Sequence, residues 1–401
     1  MRPVADLLSI DEALELILAR VSPLASETVV LEEAAGRVLS KPAVASVDVP
    51  PFPSSAMDGF AIRARDVPAT LSVVERIAAG RPASRELRSG EAMAIATGGV
   101  VPAGVDAVVP VEYVVDHENE VEIREAVSVG ANVRPRGGDV RTGDVVLDAG
   151  AQIGGAQIGA LAAAGVAAVT CARRPRAAVV TTGTELRPPG EPLSPGQIYE
   201  SNGPMLEAQL RTSGAEVERL PTIEDDPHAH RRALERAFAA DLVVTTGGVS
   251  VGPHDLVRRV EVELGVEEVF WQVAVKPGKP ISFGLRGATL VFGLPGNPVS
   301  ALVGFELFVR PAVAALQGAA EPRPSFETGR LGVSLRRNAA RDELVRARRA
   351  AGPGGTTLHP LSGQESHMIV RAAAADALVL VPRGEGELAA GEPVRYLRLE
   401  A

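Results

Sequence analysis

Cysteine is almost missing from this chain of 401 residues, which contains only Cys171. A single cysteine excludes an intrachain disulfide and a cysteine-rich zinc site. Positive charge is also in short supply, because 41 lysines and arginines face 50 aspartates and glutamates, and no basic stripe with interleaved aromatic residues is present. This balance argues against a nucleic-acid partner. An anionic substrate must therefore be held by a local cluster of donors.

Long apolar runs are absent too. No uninterrupted stretch approaches the length of a membrane span, and the first residues lack the charged-then-apolar layout of a signal peptide. Instead, Ser9 and Glu12 form a capping box that opens a helix. We expect a cytoplasmic protein without a membrane partner.

Common nucleotide-binding motifs are also missing. The chain has no GxxxxGK[ST] loop and no GxGxxG fingerprint. Its six histidines form no convincing metal-binding pattern, since His228 and His230 lie only two residues apart at a predicted helix start. The sequence therefore gives no sign of P-loop or Rossmann nucleotide binding or of a histidine metal site.

Three compositional regimes follow one another along the chain. The first part, to about residue 174, mixes helices with short valine-rich strands such as DAVVPVEYVV, EVEIREAVSV and DVVLDAG. Residues 175–317 alternate strand and helix, which predicts βαβ units and a mostly parallel sheet. After a proline-rich hinge, short strands such as ALVLVP and PVRYLRLE predict a small β-domain or barrel.

The central regime repeats one stretch, VVTTG, at residues 179–183 and 243–247. Ligands bind at the carboxyl ends of parallel strands, near a topological switch point. Glycine there allows close approach to the backbone, and the threonine hydroxyls and following amides can donate to anionic oxygens. The two strand ends are predicted to line one pocket, with an ordinary strand-to-loop turn as the alternative.

Further motifs in the central regime suit anionic ligands. The second repeat continues into a glycine-rich loop that carries Ser250 and Asp255, and KPGKP places Lys276 and Lys279 around a tight turn. In LPGNPVSA, Asn297 suits the N-cap and Pro298 the first helical position, so the helix start is an anion site with Ser300 nearby. A solvated turn and an ordinary helix start are the alternatives.

Carboxylates complete the set of candidates. Glu185, Asp225, Asp226 and Asp255 are predicted at the same sheet edge, where oxygen ligands beside phosphates would suit Mg²⁺. Each could instead be a turn or cap residue. In PPFPSSAMDGFAI, the Asp58–Gly59 pair predicts a hairpin turn.

These motifs, taken in order, resemble one family. SSAMDGFA, RPRGGDVRTGD, VVTTGTEL, TTGGVSVGPHD, KPGKP and LPGNPVSALVGFE are similar to the molybdopterin molybdenumtransferases, namely MoeA and the E-domain of gephyrin. The resemblance covers nearly the whole chain. It implies insertion of molybdate into adenylylated molybdopterin with Mg²⁺ and release of AMP, by an elongated homodimer whose site lies between subunits.

The resemblance also implies four domains around a central molybdopterin-binding type α/β sheet. These are an N-terminal helical linker domain (1–45 and 141–174), an inserted β-rich domain (46–140), the central α/β domain (175–320) and a C-terminal small β-barrel (321–401).

Roles follow residue by residue from the matching motifs. Asp58 and Thr97 would come from the partner chain, and Glu185, Asp226 and Asp255 would contact the nucleotide or Mg²⁺. Lys276, Lys279 and Ser300 would bind molybdate. Further substrate-binding residues are Thr182, Gly183, Gly247, Gly248, Ser250, Pro295, Asn297, Pro298, Arg346 and Ser366. The sequence departs from the family pattern near the last of these, at SHMIVRAA.

Two other functions stay open. The central domain alone resembles molybdopterin adenylyltransferases, and the gephyrin likeness allows a scaffold that holds cofactor without turnover. Transient contacts with an adenylyltransferase and with molybdoenzyme maturation proteins are expected as well.

Overall fold

The helix Ile10–Leu18 begins at the predicted capping box. Ser9 Oγ accepts a hydrogen bond from the Glu12 N–H at 3.2 Å, and the Glu12 carboxylate accepts from the Ser9 N–H at 2.8 Å. In this computed structural model, which describes residues 7–224, 226–248 and 256–399, the apolar face of the helix enters the core of the central domain.

A small linker unit is built from two distant segments. Strand Ser26–Val30 pairs antiparallel with Ala168–Ala172, and Ala43–Val44 pairs with Val145–Leu147. A helix of mostly small residues runs over Gly155–Ala163 between them in the chain. The two segments share one apolar core: Val29, Ala34, Leu39, Ala43, Ile153, Leu161, Val169 and Cys171.

The inserted region forms a six-stranded sheet. Its strands run in the spatial order Ala107–Pro110, Gly59–Ile62, Glu91–Ile95, Ala69–Ile77, Glu120–Ile123 and Val114–Asp116. All neighbours are antiparallel except the third and fourth strands, which are parallel.

The hairpin predicted at Asp58–Gly59 was wrong. Gly59 opens a strand between two neighbours, where it pairs with both Pro110 and Ile95. A Cβ on Gly59 would lie 2.0 Å from the Val109 carbonyl oxygen. The glycine is needed for this close strand approach, a tertiary contact that the Asp-Gly turn signal does not report.

The central sheet confirms the predicted α/β fold. Its spatial order is Glu216–Arg219, Arg176–Thr181, Leu242–Thr246, Thr289–Leu294, Ser282–Arg286 and Glu267–Trp271. The first four strands are parallel, and the last two add an antiparallel edge. Helices Asn202–Thr212 and Pro227–Ala237 connect parallel strands, and Leu256–Glu263 lies between Leu242–Thr246 and the edge strand Glu267–Trp271.

The longest helix passes through the protein core. It runs over Pro298–Leu316, with a π-helical turn at Phe305–Val309. In the described part of the chain this one helix is long and apolar enough to cross a membrane, whereas no such stretch was predicted from the sequence. Of its apolar stretch 78% is buried inside the protein, and its Glu306 and Arg310 pair with each other at 2.7 Å. These features are those of a core helix.

The predicted C-terminal barrel is confirmed. Five strands close into a ring: Asp342–Gly352, Gly355–Pro360, Phe326–Leu331, Pro393–Arg398 and Ala377–Val381, the last of which pairs again with the first. A sixth strand, Val275–Lys276, comes from the central region and adds to Asp342–Gly352 in parallel. The barrel is therefore joined by backbone hydrogen bonds to the segment that carries KPGKP.

Candidate functional site

A cavity of about 720 Å³ lies at the carboxyl edge of the central sheet. The chain leaves the strand Arg176–Thr181 to build Glu216–Arg219 on one side and Leu242–Thr246 on the other, which is a topological switch point. Eight predicted residues line the cavity: Thr182, Gly183, Glu185, Gly247, Gly248, Pro295, Asn297 and Pro298.

The two Thr-Thr-Gly ends lie side by side at this edge. Thr181 pairs with Thr246, and the Thr182 N–H donates to the Thr246 carbonyl at 3.2 Å. Gly247 has a φ of +89°, and a Cβ there would lie 2.6 Å from the Thr182 carbonyl oxygen. Gly247, the glycine of the second Thr-Thr-Gly, is thus required for the contact between the two strand ends.

A buried asparagine joins three segments of the cavity wall. Asn202 Nδ2 donates to Thr246 Oγ1 and to the Gly296 carbonyl, each at 2.8 Å. The Thr246 hydroxyl donates in turn to the Pro295 carbonyl at 3.1 Å. The start of helix Asn202–Thr212, the second strand end and the LPGN turn are therefore held as one rigid unit.

The helix that follows LPGN starts as predicted, with Asn297 at the N-cap and Pro298 in the first turn. Its Val299 N–H donates to the Ser366 carbonyl at 3.0 Å. A carbonyl of the C-terminal domain therefore accepts a hydrogen bond from one N–H group in the first turn of the helix. Ser300 is buried in this first turn, behind the cavity wall.

The dilysine turn packs against Ser300. Gly278 has a φ of +111°, and a Cβ there would lie 3.8 Å from Ser300 Cβ. Both lysines of the turn are partly exposed, and Pro280 lines the cavity beside them. The chain has only three lysines, so two of them stand in this one turn. Lys276 Nζ lies 3.0 Å from Glu343 Oε1 of the barrel.

Asp58 and Thr97 are brought together on the inserted domain, away from the cavity wall. Asp58 Oδ1 accepts from the Thr97 N–H at 2.6 Å and from Thr97 Oγ1 at 3.0 Å. These two donors, the backbone amide first, lower the pKa of the exposed Asp58 carboxyl. The carboxylate therefore stays ionised to a lower pH than an isolated aspartate.

Replacing Thr97 by valine is expected to raise the pKa of Asp58 only part of the way to its ordinary value. The substitution removes the hydroxyl donor, whereas the backbone amide, the larger cause, remains. Because a depressed pKa gives stability that is lost as pH falls through it, this loss should begin at a higher pH in the variant. NMR titration of carbon-13-labelled aspartate measures the shift.

Asp226 is the internal control for that titration. Its pKa is lowered chiefly by the Ala229 N–H, on another domain, and should not move in the variant. An unchanged Asp58 titration would contradict the role given to the Thr97 hydroxyl.

The carboxylates predicted to bind metal take different places. Glu185 lines the cavity, with its Oε2 2.8 Å from the position of a Cβ on Gly183. Asp226 caps helix Pro227–Ala237 by accepting from the Ala229 N–H at 2.7 Å. Asp225, Ser250 and Asp255 lie outside the described residues. Among residues 7–224, 226–248 and 256–399, no group of three histidines, cysteines, aspartates or glutamates could hold a metal ion.

Arg346 lies beneath the loop 363–368 rather than in the cavity wall. Its side chain is 1% exposed, and the guanidinium donates to the Gly363 carbonyl at 2.9 Å and to Gln364 Oε1 at 3.2 Å. Burial lowers the pKa of this arginine. Arg346 thereby fixes the loop that presents the Ser366 carbonyl to the helix start and places His367 in the cavity wall.

Comparison with known families covers the three regions of this architecture. Residues 8–165 match the MoeA N-terminal region (domain I and II), residues 178–315 match a probable molybdopterin binding domain, and residues 328–399 match the MoeA C-terminal region (domain IV). The chain belongs to the MoeA family.

Individual MoeA relatives resemble the chain over nearly its full length. The molybdopterin molybdenumtransferase of Haemophilus influenzae is 35% identical, covering 97% of this chain and 98% of that protein. Molybdopterin molybdenumtransferase 2 of Mycobacterium tuberculosis is 38% identical, covering 91% and 93%. The solved structure of the molybdopterin biosynthesis moeA protein from Pyrococcus horikoshii superposes with a TM-score of 0.85 at 28% identity, covering 98% and 100%.

Several cavity residues of this MoeA-family chain were missed from the sequence. Glu200 and Asn202 form part of the wall, and the ESN run before a predicted helix at the same sheet edge could have indicated them. His367 and Ile369 also line the cavity. No local pattern indicates them, because they arrive through the docking of a separate barrel.

Proposed function

We propose that this protein is a molybdopterin molybdenumtransferase, which inserts molybdate into adenylylated molybdopterin and releases AMP. The observation that carries the proposal is the single cavity between two adjacent Thr-Thr-Gly strand ends, next to a turn with two lysines. Membership of the MoeA family supports the same reaction.

The cavity residues would bind the pterin nucleotide. The strand ends offer hydroxyl and backbone donors at Thr182, Gly183, Gly247 and Gly248, which suit the oxygens of a phosphoric anhydride. The glycines allow a phosphate to approach the main chain closely. Pro295, Asn297 and Pro298 would close the opposite wall.

The lysine turn would bind molybdate as substrate. Lys276 and Lys279 supply positive charge on a compact turn that packs on Ser300, whose position at a helix start adds a favourable dipole. The reaction needs no protein nucleophile, since the dithiolene sulfurs of the substrate bond to molybdenum. One oxo ligand leaves as water with the protons of the two thiols, and a second water cleaves the anhydride to release AMP.

Magnesium fits the donors at the cavity in part. Glu185 offers a carboxylate beside the strand-end amides, and Mg²⁺ is commonly held by one or two carboxylates together with substrate phosphates. When bound, the ion neutralises charge on the anhydride and on the leaving AMP. We assign Glu185 to this role and keep Asp255 as a predicted second ligand. The Asp226 carboxylate already caps its own helix, so we rank Asp226 below Glu185 as a ligand of Mg²⁺.

We further propose a cytoplasmic homodimer. The Asp58–Thr97 pair lies on the inserted domain outside the cavity wall of its own chain, so it would complete the cavity of a second copy. Contacts with an adenylyltransferase or with maturation proteins would be transient.

Incubating the purified protein with adenylylated molybdopterin, Mg²⁺ and molybdate tests the function. We expect AMP and a metallated pterin, and loss of both when molybdate is omitted. Consumption of ATP without molybdate would indicate an adenylyltransferase instead. Binding of the nucleotide without any release of AMP would indicate a scaffold.

A further inference from the structure

The lysine turn has a built-in counter-charge that comes from another domain. Strand Val275–Lys276 pairs in parallel with Asp342–Gly352 of the barrel, and this register sets Lys276 opposite Glu343. Lys276 Nζ lies 3.0 Å from Glu343 Oε1. Because backbone pairing fixes the register, the carboxylate is held at the ammonium group without relying on flexible side chains alone.

The two partners differ in exposure. The side chain of Glu343 is 15% exposed, and that of Lys276 is 44% exposed. The carboxylate therefore lies on the inner side of the pair, while the ammonium group remains open to solvent and to an arriving anion. Water screens the charge of a mostly buried carboxylate less than that of an exposed one.

We propose that Glu343 is a positioning residue that limits the affinity of the lysine turn for tetrahedral dianions. This inference rests on the proposed role of the lysines in binding the oxyanion. Glu343 holds Lys276 in place and cancels one of the two positive charges. An entering anion must share Lys276 with the carboxylate and is repelled by it, so dianions such as sulfate do not block the turn.

Coulomb repulsion gives this proposal a specific signature. The repulsion scales with the charge of the ligand. Removing the carboxylate should therefore improve the binding free energy of a dianion by twice as much as that of a monoanion of the same shape. Molybdate and perrhenate are such a pair, since both are tetrahedral oxyanions and they carry charges of −2 and −1. A packing change at the turn would also alter the affinities for molybdate and perrhenate. It would not make the free-energy change for the dianion twice that for the monoanion.

The test is anion binding to full-length Glu343→Gln, measured by calorimetry. For charges several ångströms apart near the surface, we expect about 4-fold tighter perrhenate binding and about 15-fold tighter molybdate binding. Glu343→Asp should stay close to the wild type, because it keeps the charge. The matched control is Glu263→Gln, which breaks the 2.6 Å pair with Arg231 elsewhere on the surface and should change neither affinity.

The outcomes separate this inference from the function on which it rests. If the wild type binds molybdate and Glu343→Gln binds both anions as the wild type does, or more weakly, the counter-charge role is refuted while the function stands. Equal gains for both anions would also refute it. If the wild type binds no molybdate, the oxyanion role of the lysines fails and this inference fails with it. Thermal unfolding of each variant shows whether it is folded.

Discussion

Replacement of Lys279 by alanine should abolish molybdate-dependent release of AMP and leave the protein folded. The loss follows because one of the two ammonium groups at the turn disappears, and removing a donor that stabilises developing charge costs about 10²- to 10³-fold in rate. The fold should survive because the turn is held by its backbone. The Lys279 carbonyl accepts from the N–H groups of Val273 and Ile281, each at 3.0 Å.

The chain offers a matched control for this substitution. Lys41 is the third lysine, is exposed and lies in the linker unit, so Lys41→Ala removes the same charge from a different part of the fold. It should release AMP at the wild-type rate. Lys279→Arg should retain part of the activity, because it keeps the charge but replaces a compact ammonium group with a planar one. Unchanged AMP release by Lys279→Ala would contradict the oxyanion site.

The sequence predicted those parts of the fold that depend on local pattern. The alternation of apolar strands and amphipathic helices was enough to predict the central sheet, and its strand ends then followed from the general rule for parallel sheets. The Ser9–Glu12 capping box and the Asn297–Pro298 helix start were predicted because each depends on residues within one turn.

Long-range pairing accounts for what the sequence did not reveal. Val275–Lys276 reads as part of the central region, yet it joins the barrel because its partner strand begins at Asp342, much later in the chain. Gly59 has the local signature of a turn and is instead required by the nearby Val109 carbonyl. Such contacts depend on which strands become neighbours, and no short motif encodes that.

The candidate site divides in the same way. Glycines and threonines at strand ends can be recognised from the sequence, and they line the cavity as predicted. The residues that hold the wall together cannot, because Asn202 acts by joining Thr246 to Gly296 across three segments. Arg346 is predicted from the sequence as a substrate-binding residue, but its buried place under the loop 363–368 becomes visible only in three dimensions.

Replacement of Gly247 by alanine should both destabilise the protein and reduce AMP release by about 100-fold or more, because a misplacement of about 1 Å at a reacting centre can cost that much. The new Cβ would lie 2.6 Å from the Thr182 carbonyl oxygen and 2.9 Å from Thr182 Oγ1, so the two strand ends must separate. The backbone φ of +89° adds about 1 to 2 kcal/mol of strain for a residue with a side chain.

Gly265→Ala separates the strain from the clash. Gly265 has nearly the same φ, +86°, but a Cβ there would meet nothing within 4 Å. In both variants, the strain of a side chain in the left-handed backbone region should therefore lower the free energy of unfolding, which urea denaturation measures. Only Gly247→Ala should lose about 1 to 3 kcal/mol more, as overpacked sites do, together with activity. If the two variants unfold and release AMP alike, contact between the twin strand ends is not what shapes the cavity.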